Sequence, residues 1–139
     1  MKHPYILMLE SDEDDQYITQ SLFEENNIPV SIEFARNSDV FLDFLKNCTD
    51  NNLALPSLII LDVNAVPLNA SGVLKKIKTD SEYSYIPAVV LSEIASARVA
   101  KECYALGASS FIVKPDSDEA ARKKILTFLK YWFETAELS

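Results

Sequence analysis

Five short aliphatic runs recur along the chain, at residues 5–9 (YILML), 30–34 (VSIEF), 57–61 (SLIIL), 87–91 (PAVVL) and 110–113 (SFIV). Continuous apolar runs of this length predict strands buried on both faces. The second run differs, because Val30, Ile32 and Phe34 alternate with Ser31 and Glu33; it predicts a half-exposed edge strand and leaves four of the five as central strands. Between and after the runs, apolar residues return at helical spacing: Ile18, Leu22 and Phe23; Val40, Phe41, Phe44 and Leu45; Val73, Leu74 and Ile77; Val99, Cys103 and Leu106; Ile125, Phe128, Leu129 and Trp132. Ser38 before the second helix, Gly107 just past the fourth and the Asp116/Glu119 pair at the fifth mark expected helix ends.

Strand and helix alternating five times predicts an α/β fold in which a five-stranded parallel sheet is covered by helices on both faces, a doubly wound three-layer sandwich. At 139 residues, with no repeat, low-complexity tract or linker, residues 1–139 are expected to form a single domain. The polar stretch at 47–56 reads as a long connection within it.

Composition narrows the function. A net charge of -8 excludes nonspecific nucleic-acid binding, which needs a basic face. The first apolar stretch is only five residues long, too short for a signal-peptide core or a membrane span, so a cytoplasmic location without membrane contact is the default expectation. Cys48, Cys103 and the single His3 lack metal-ligand spacing; a zinc site or a cysteine–histidine nucleophile has no raw material, and both cysteines are expected in the core.

In doubly wound sheets, ligands bind outside the carboxyl ends of the strands, so the residues that follow each run carry the chemistry. These are Glu10, Ser11 and Asp12 after the first strand, Asp62 and Asn64 after the third, Ser92 after the fourth, and Lys114 and Pro115 after the fifth. Each has a structural role available to it: acids complement a helix amino end, serine caps a helix, lysine is solvated. Their convergence on one edge points instead to a site. A carboxylate can accept a phosphoryl group if the phosphoryl oxygens are held and neutralised. Oxygen donors from Glu10, Asp62 and the Asn64 carbonyl suit Mg2+, and Lys114 with the Ser92 hydroxyl would hold the remaining oxygens.

The stretches ILMLES, LIILDVN, PAVVLSE and GASSFIVKP resemble the receiver domains of two-component response regulators across essentially the whole chain. That resemblance implies a flavodoxin-like strand order of 2-1-3-4-5. It assigns Asp62 as phosphoacceptor, Glu10 to the acidic metal pocket, Asn64 as a metal ligand through its backbone, Ser92 as switch hydroxyl, Lys114 as phosphate-binding lysine and Phe111 as aromatic switch. It also implies a cis bond between Lys114 and Pro115. A sensor histidine kinase or phosphotransfer protein would be the donor and a downstream protein the target. The module would signal rather than catalyse turnover.

Three departures bear on activity: Ser11 stands where a second acid is usual, Ala70 where a loop glycine is usual, and Val66 where proline is usual, with Pro67 one place later. Loss of the acid weakens the metal site, so Mg2+ is expected to bind weakly, with Asp12 as an additional candidate ligand. The main alternative is a phosphorylation-independent receiver serving as a constitutive protein-interaction module. An aspartate-nucleophile phosphohydrolase would carry a second aspartate where Asn64 stands, and a nucleotide or flavin binder would need more glycine than Gly72 and Gly107. The aromatics of residues 125–139 exceed one buried stripe, which marks the face of the fourth helix, fifth strand and fifth helix for partner docking or a homodimer.

Overall fold

The aliphatic runs become parallel strands and each is followed by a helix: β1 (Tyr5–Leu9), α1 (Glu13–Glu25), β2 (Ser31–Ala35), α2 (Ser38–Asp50), β3 (Leu58–Asp62), α3 (Ala70–Lys78), β4 (Ala88–Ser92), α4 (Ala97–Ala105), β5 (Ser110–Val113) and α5 (Asp118–Lys130). A π-helical turn, Tyr131–Thr135, continues α5. The structure, a computed structural model, describes residues 4–28, 30–113 and 118–135. Its sheet has the order β2-β1-β3-β4-β5 with every pairing parallel, the flavodoxin-like order.

Because side chains alternate across a strand, one sheet feeds two cores. Leu7, Leu9, Ile59, Leu61 and Val90 pack with Phe41 and Leu45 of α2, Leu74 and Ile77 of α3, and Cys103 of α4. Ile6, Met8, Ile60, Val89 and Leu91 pack on the other side with Phe23 of α1 and Leu129 of α5. Both cysteines are buried and free, as expected from their types. Phe128, Trp132 and Phe133 also lie against this second core, so much of the aromatic surplus is absorbed there, while Tyr131 stays 53% exposed.

The expectation of four central strands fails at β5, which is the second edge of the sheet and is only half-buried along its length. A four-residue apolar run cannot distinguish a strand paired on both sides from one paired on one side and covered by helices. Along this edge the Tyr104 hydroxyl of α4 accepts from the Phe111 N–H at 3.0 Å, and the Lys124 ammonium of α5 donates to the Val113 carbonyl at 2.6 Å.

Three helices end in the same way. After α1, α2 and α4, a residue with positive φ follows the cap: Asn27 at 51°, Asn52 at 55° and Gly107 at 105°. The next amide then reaches back to an otherwise unsatisfied carbonyl, Ile28 to Phe23 at 3.1 Å, Leu53 to Cys48 at 2.8 Å and Ala108 to Cys103 at 3.0 Å. Gly107 is needed for space as well as conformation, since a Cβ there would lie 2.8 Å from the Lys78 side chain. At the amino end of α2 the cap is Asn37, whose side chain accepts from Val40 N–H, and Ser38 is the first helical residue. The expected Asp116/Glu119 cap of α5 and the Lys114–Pro115 bond lie outside the described residues. A cis bond is present between Val66 and Pro67. Among the described residues, no helix is long and apolar enough to cross a membrane.

Candidate functional site

Register brings the first two carboxylates to one level. Leu9 pairs with Leu61, so Glu10 stands beside Asp62 one residue further along the two strands. Both continue the series of Ile6, Met8 and Ile60 that faces α1 and α5. Glu10 is buried at 3% exposure: its N–H donates to the Ala35 carbonyl at 2.9 Å, its carbonyl accepts from the Gln16 side chain at 2.7 Å, and its Oε2 accepts from the Asp12 N–H at 3.3 Å. A carboxylate this deep persists only with such support.

Asp62, the last residue of β3, is half-buried. Its Oδ1 accepts from the Asn64 N–H at 3.1 Å and its carbonyl accepts from Ala65 N–H at 3.2 Å, leaving Oδ2 without a hydrogen bond among the described residues. The Asn64 side chain is exposed. Asp62 is therefore a half-buried carboxylate oriented by the Asn64 amide.

Asp12 has a structural role. It is the amino cap of α1, its Oδ1 accepting from the Asp15 N–H at 2.9 Å, and Glu13, Asp14 and Asp15 fill the first turn where the helix dipole favours negative charge. Ser11 is exposed beside it. Among the described residues no group of three or more histidine, cysteine or acidic side chains is placed to hold a metal. The two carboxylates that the register brings level, Glu10 and Asp62, are hard oxygen donors of the kind that suits a divalent cation keeping several waters.

Ser92 ends β4 and is buried at 4% exposure. Its hydroxyl donates to the Ile94 carbonyl at 2.8 Å and accepts from the Ile94 N–H at 3.2 Å, closing a turn on its own loop. It does not cap α4; Ser96 does, accepting from Val99 N–H at 3.2 Å. Phe111 packs half-buried against the α2–α4 side of the core. Lys114 lies outside the described residues.

Sequence reasoning missed Ser38. It is fully buried, its N–H donates to the Val66 carbonyl at 2.9 Å, and its Oγ accepts from the Leu68 N–H at 2.8 Å. The only sequence signal was a hydroxyl at a helix start, which reads first as a cap.

No protein-family model matches the chain. Among curated proteins it is 26% identical over 130 residues to the "Probable methanogenesis regulatory protein FilR2" of Methanothrix harundinacea, covering 93% of this chain and 84% of that one. It is 38% identical over 68 residues to a protein-glutamate methylesterase/protein-glutamine glutaminase of Treponema denticola, but that match spans 48% of this chain and only 18% of the relative. Among solved structures, the phosphorylated cyanobacterial phytochrome response regulator RcpA superposes with a TM-score of 0.89 at 25% identity, covering 99% of both chains. The Mn2+-bound response regulator Rcp1 gives 0.88 at 24%, covering 98% of this chain and 99% of that one. A two-component response regulator from Legionella pneumophila gives 0.74 at 28%, covering 93% of this chain and 98% of that one. Overlap of this extent, over a sheet of order 2-1-3-4-5 with a carboxylate at the end of its third strand, gives the chain the flavodoxin-like fold of the response-regulator receivers it resembles.

Proposed function

We propose that the chain accepts a phosphoryl group on Asp62 from a histidine kinase or phosphotransfer protein and signals through altered docking to a downstream protein. The observation that carries this reading is Asp62 itself, held at the end of β3 by the Asn64 amide, beside the buried Glu10. In the transfer, an Asp62 carboxylate oxygen attacks phosphorus, the bond from phosphorus to the donor nitrogen breaks, and the departing imidazole takes up a proton from solvent. Mg2+ held by Glu10, Asp62 and the Asn64 carbonyl would supply charge neutralisation of the phosphoryl oxygens. The Lys114 ammonium and the Ser92 hydroxyl are the groups proposed to hold those oxygens once Ser92 leaves its turn with Ile94. Phe111 is the aromatic proposed to follow that movement, on the face where target docking or self-association would be read.

Intact mass after treatment with acetyl phosphate and Mg2+ tests the assignment. The wild type gains one phosphoryl group and Asp62→Asn gains none; equal labelling of both overturns it. Mn2+ in a neighbouring receiver supports a divalent ion here, and Ser11→Asp is expected to raise Mg2+ affinity by about tenfold, about 1.4 kcal/mol, by restoring a third carboxylate. Calorimetric titration of both proteins measures it.

One observation favours a second reading. With Ser11 exposed and Asp12 used as a helix cap, the acid set is short by one, which suits a receiver that docks to its partners without phosphate. A wild type that stays unlabelled yet binds its partner selects this reading.

A further inference from the structure

We infer that Ser38 is a positioning residue for Asp62, locking the loop that follows the acceptor strand to the amino end of α2. The inference rests on the reading of Asp62 as the acceptor.

Residues 63–69 connect β3 to α3, and the two ends of this loop are held locally. At its start, Val63 N–H donates to the Leu91 carbonyl at 3.0 Å and Asn64 N–H to Asp62 Oδ1 at 3.1 Å. At its end, Asn69 caps α3 by accepting from Gly72 N–H at 2.9 Å. The middle is held from outside by Ser38, which takes the Val66 carbonyl with its amide and the Leu68 amide with its hydroxyl. Ser38 is 0% exposed, and a buried hydroxyl is retained where it is hydrogen-bonded.

Two features make this anchor necessary and firm. The loop, residues 63–69, contains no glycine and no residue with positive φ, and Ala70 already belongs to α3, so the hold on its middle comes from outside, from Ser38. The anchor itself stands on a fixed base, since Phe41, Leu45 and Cys48 of α2 are buried and Asn37 caps the helix. A hold on residues 66 and 68 limits the motion of Asn64, whose amide orients the Asp62 carboxylate. Misplacement there lowers the rate of attack on phosphorus without removing the acceptor.

The test compares wild type, Ser38→Ala, Ser38→Thr and Cys48→Ala, all checked for folding by circular dichroism. Cys48→Ala loosens the same helix far from the loop. At saturating acetyl phosphate and Mg2+, the labelling rate of Ser38→Ala is expected to fall about tenfold or more with stoichiometry still one. Ser38→Thr, which keeps the hydroxyl, and Cys48→Ala are expected to label within about threefold of wild type. Hydrogen exchange of the Asn64 amide should quicken in Ser38→Ala alone. Folded Ser38→Ala labelling at the wild-type rate, or an unchanged Asn64 exchange rate, overturns the inference. An unlabelled wild type would instead remove the Asp62 reading, and Asn64 exchange would then decide the anchoring by itself.

Discussion

The two connections that leave the central strands β3 and β4 are held in opposite ways. After β3, the loop is tied to α2, thirty residues away in sequence, and runs into a nine-residue helix with four buried residues, Ala70, Val73, Leu74 and Ile77. After β4, Ser92 closes a turn on Ile94, which is 71% exposed, and the following helix, also nine residues, buries only Cys103. A segment anchored elsewhere moves only if its anchor yields, whereas a self-closed turn reorganises at the cost of its own bonds. The difference predicts a geometry harder to move on the side that carries Asp62 and a turn easier to reorganise on the side that carries Ser92.

The contrast is broken most directly in the core. Leu74→Ala in α3 is expected to cost about 2–5 kcal/mol, whereas Val99→Ala in α4, at a half-buried position, should cost about 1 kcal/mol. Urea denaturation measures both, and equal costs would show that the two helices are equally anchored. Next in size is the exchange of single amides. Leu68 N–H, bonded to buried Ser38, should exchange about a hundredfold more slowly than Ile94 N–H, bonded within its own turn. Comparable protection would place both loops on the same footing.

Smaller effects sharpen the picture. Asn37→Ala and Ser96→Ala each remove a helix cap and should cost about 1 kcal/mol. Only Asn37→Ala should also speed Leu68 exchange, because only α2 carries the anchor; acceleration by both variants would mean that the loops are coupled. Smallest of all, Ser92→Ala should cost less than about 1 kcal/mol, since the freed Ile94 groups reach water. A loss of 2 kcal/mol or more on urea denaturation would mark the turn as part of the core.

What was legible in the sequence follows the same line between local and distant causes. Aliphatic runs and helical spacing are local, and they located the five strands and the five helices that follow them, though α2 runs on to Asp50, into the stretch read as a connection. The edge position of β5 depends on what lies beside it, so its apolar run misled. Gly107 was readable because glycine is the usual residue at a positive φ after a helix, while Asn27 and Asn52 do the same work with the second choice and passed as ordinary polar residues. The nearness of Glu10, Asp62 and Ser92 at neighbouring strand ends was legible because topology places strand ends together. The turn that Ser92 makes, the capping duty of Asp12 and the reach of Ser38 to Leu68 depend on hydrogen-bond partners that no spacing announces.

The two side chains laid over β5 bear on how the protein behaves at high concentration. An open sheet edge offers amides and carbonyls to any other extended chain, and growth of the sheet between molecules begins there. Tyr104 occupies the amide of Phe111 and Lys124 the carbonyl of Val113, so an incoming strand would have to displace a hydroxyl and an ammonium before its first bonds formed. At the opposite edge, β2 exposes Ser31 and Glu33, and an exposed charge there disfavours the same growth. Both margins therefore carry features that disfavour templating by another chain.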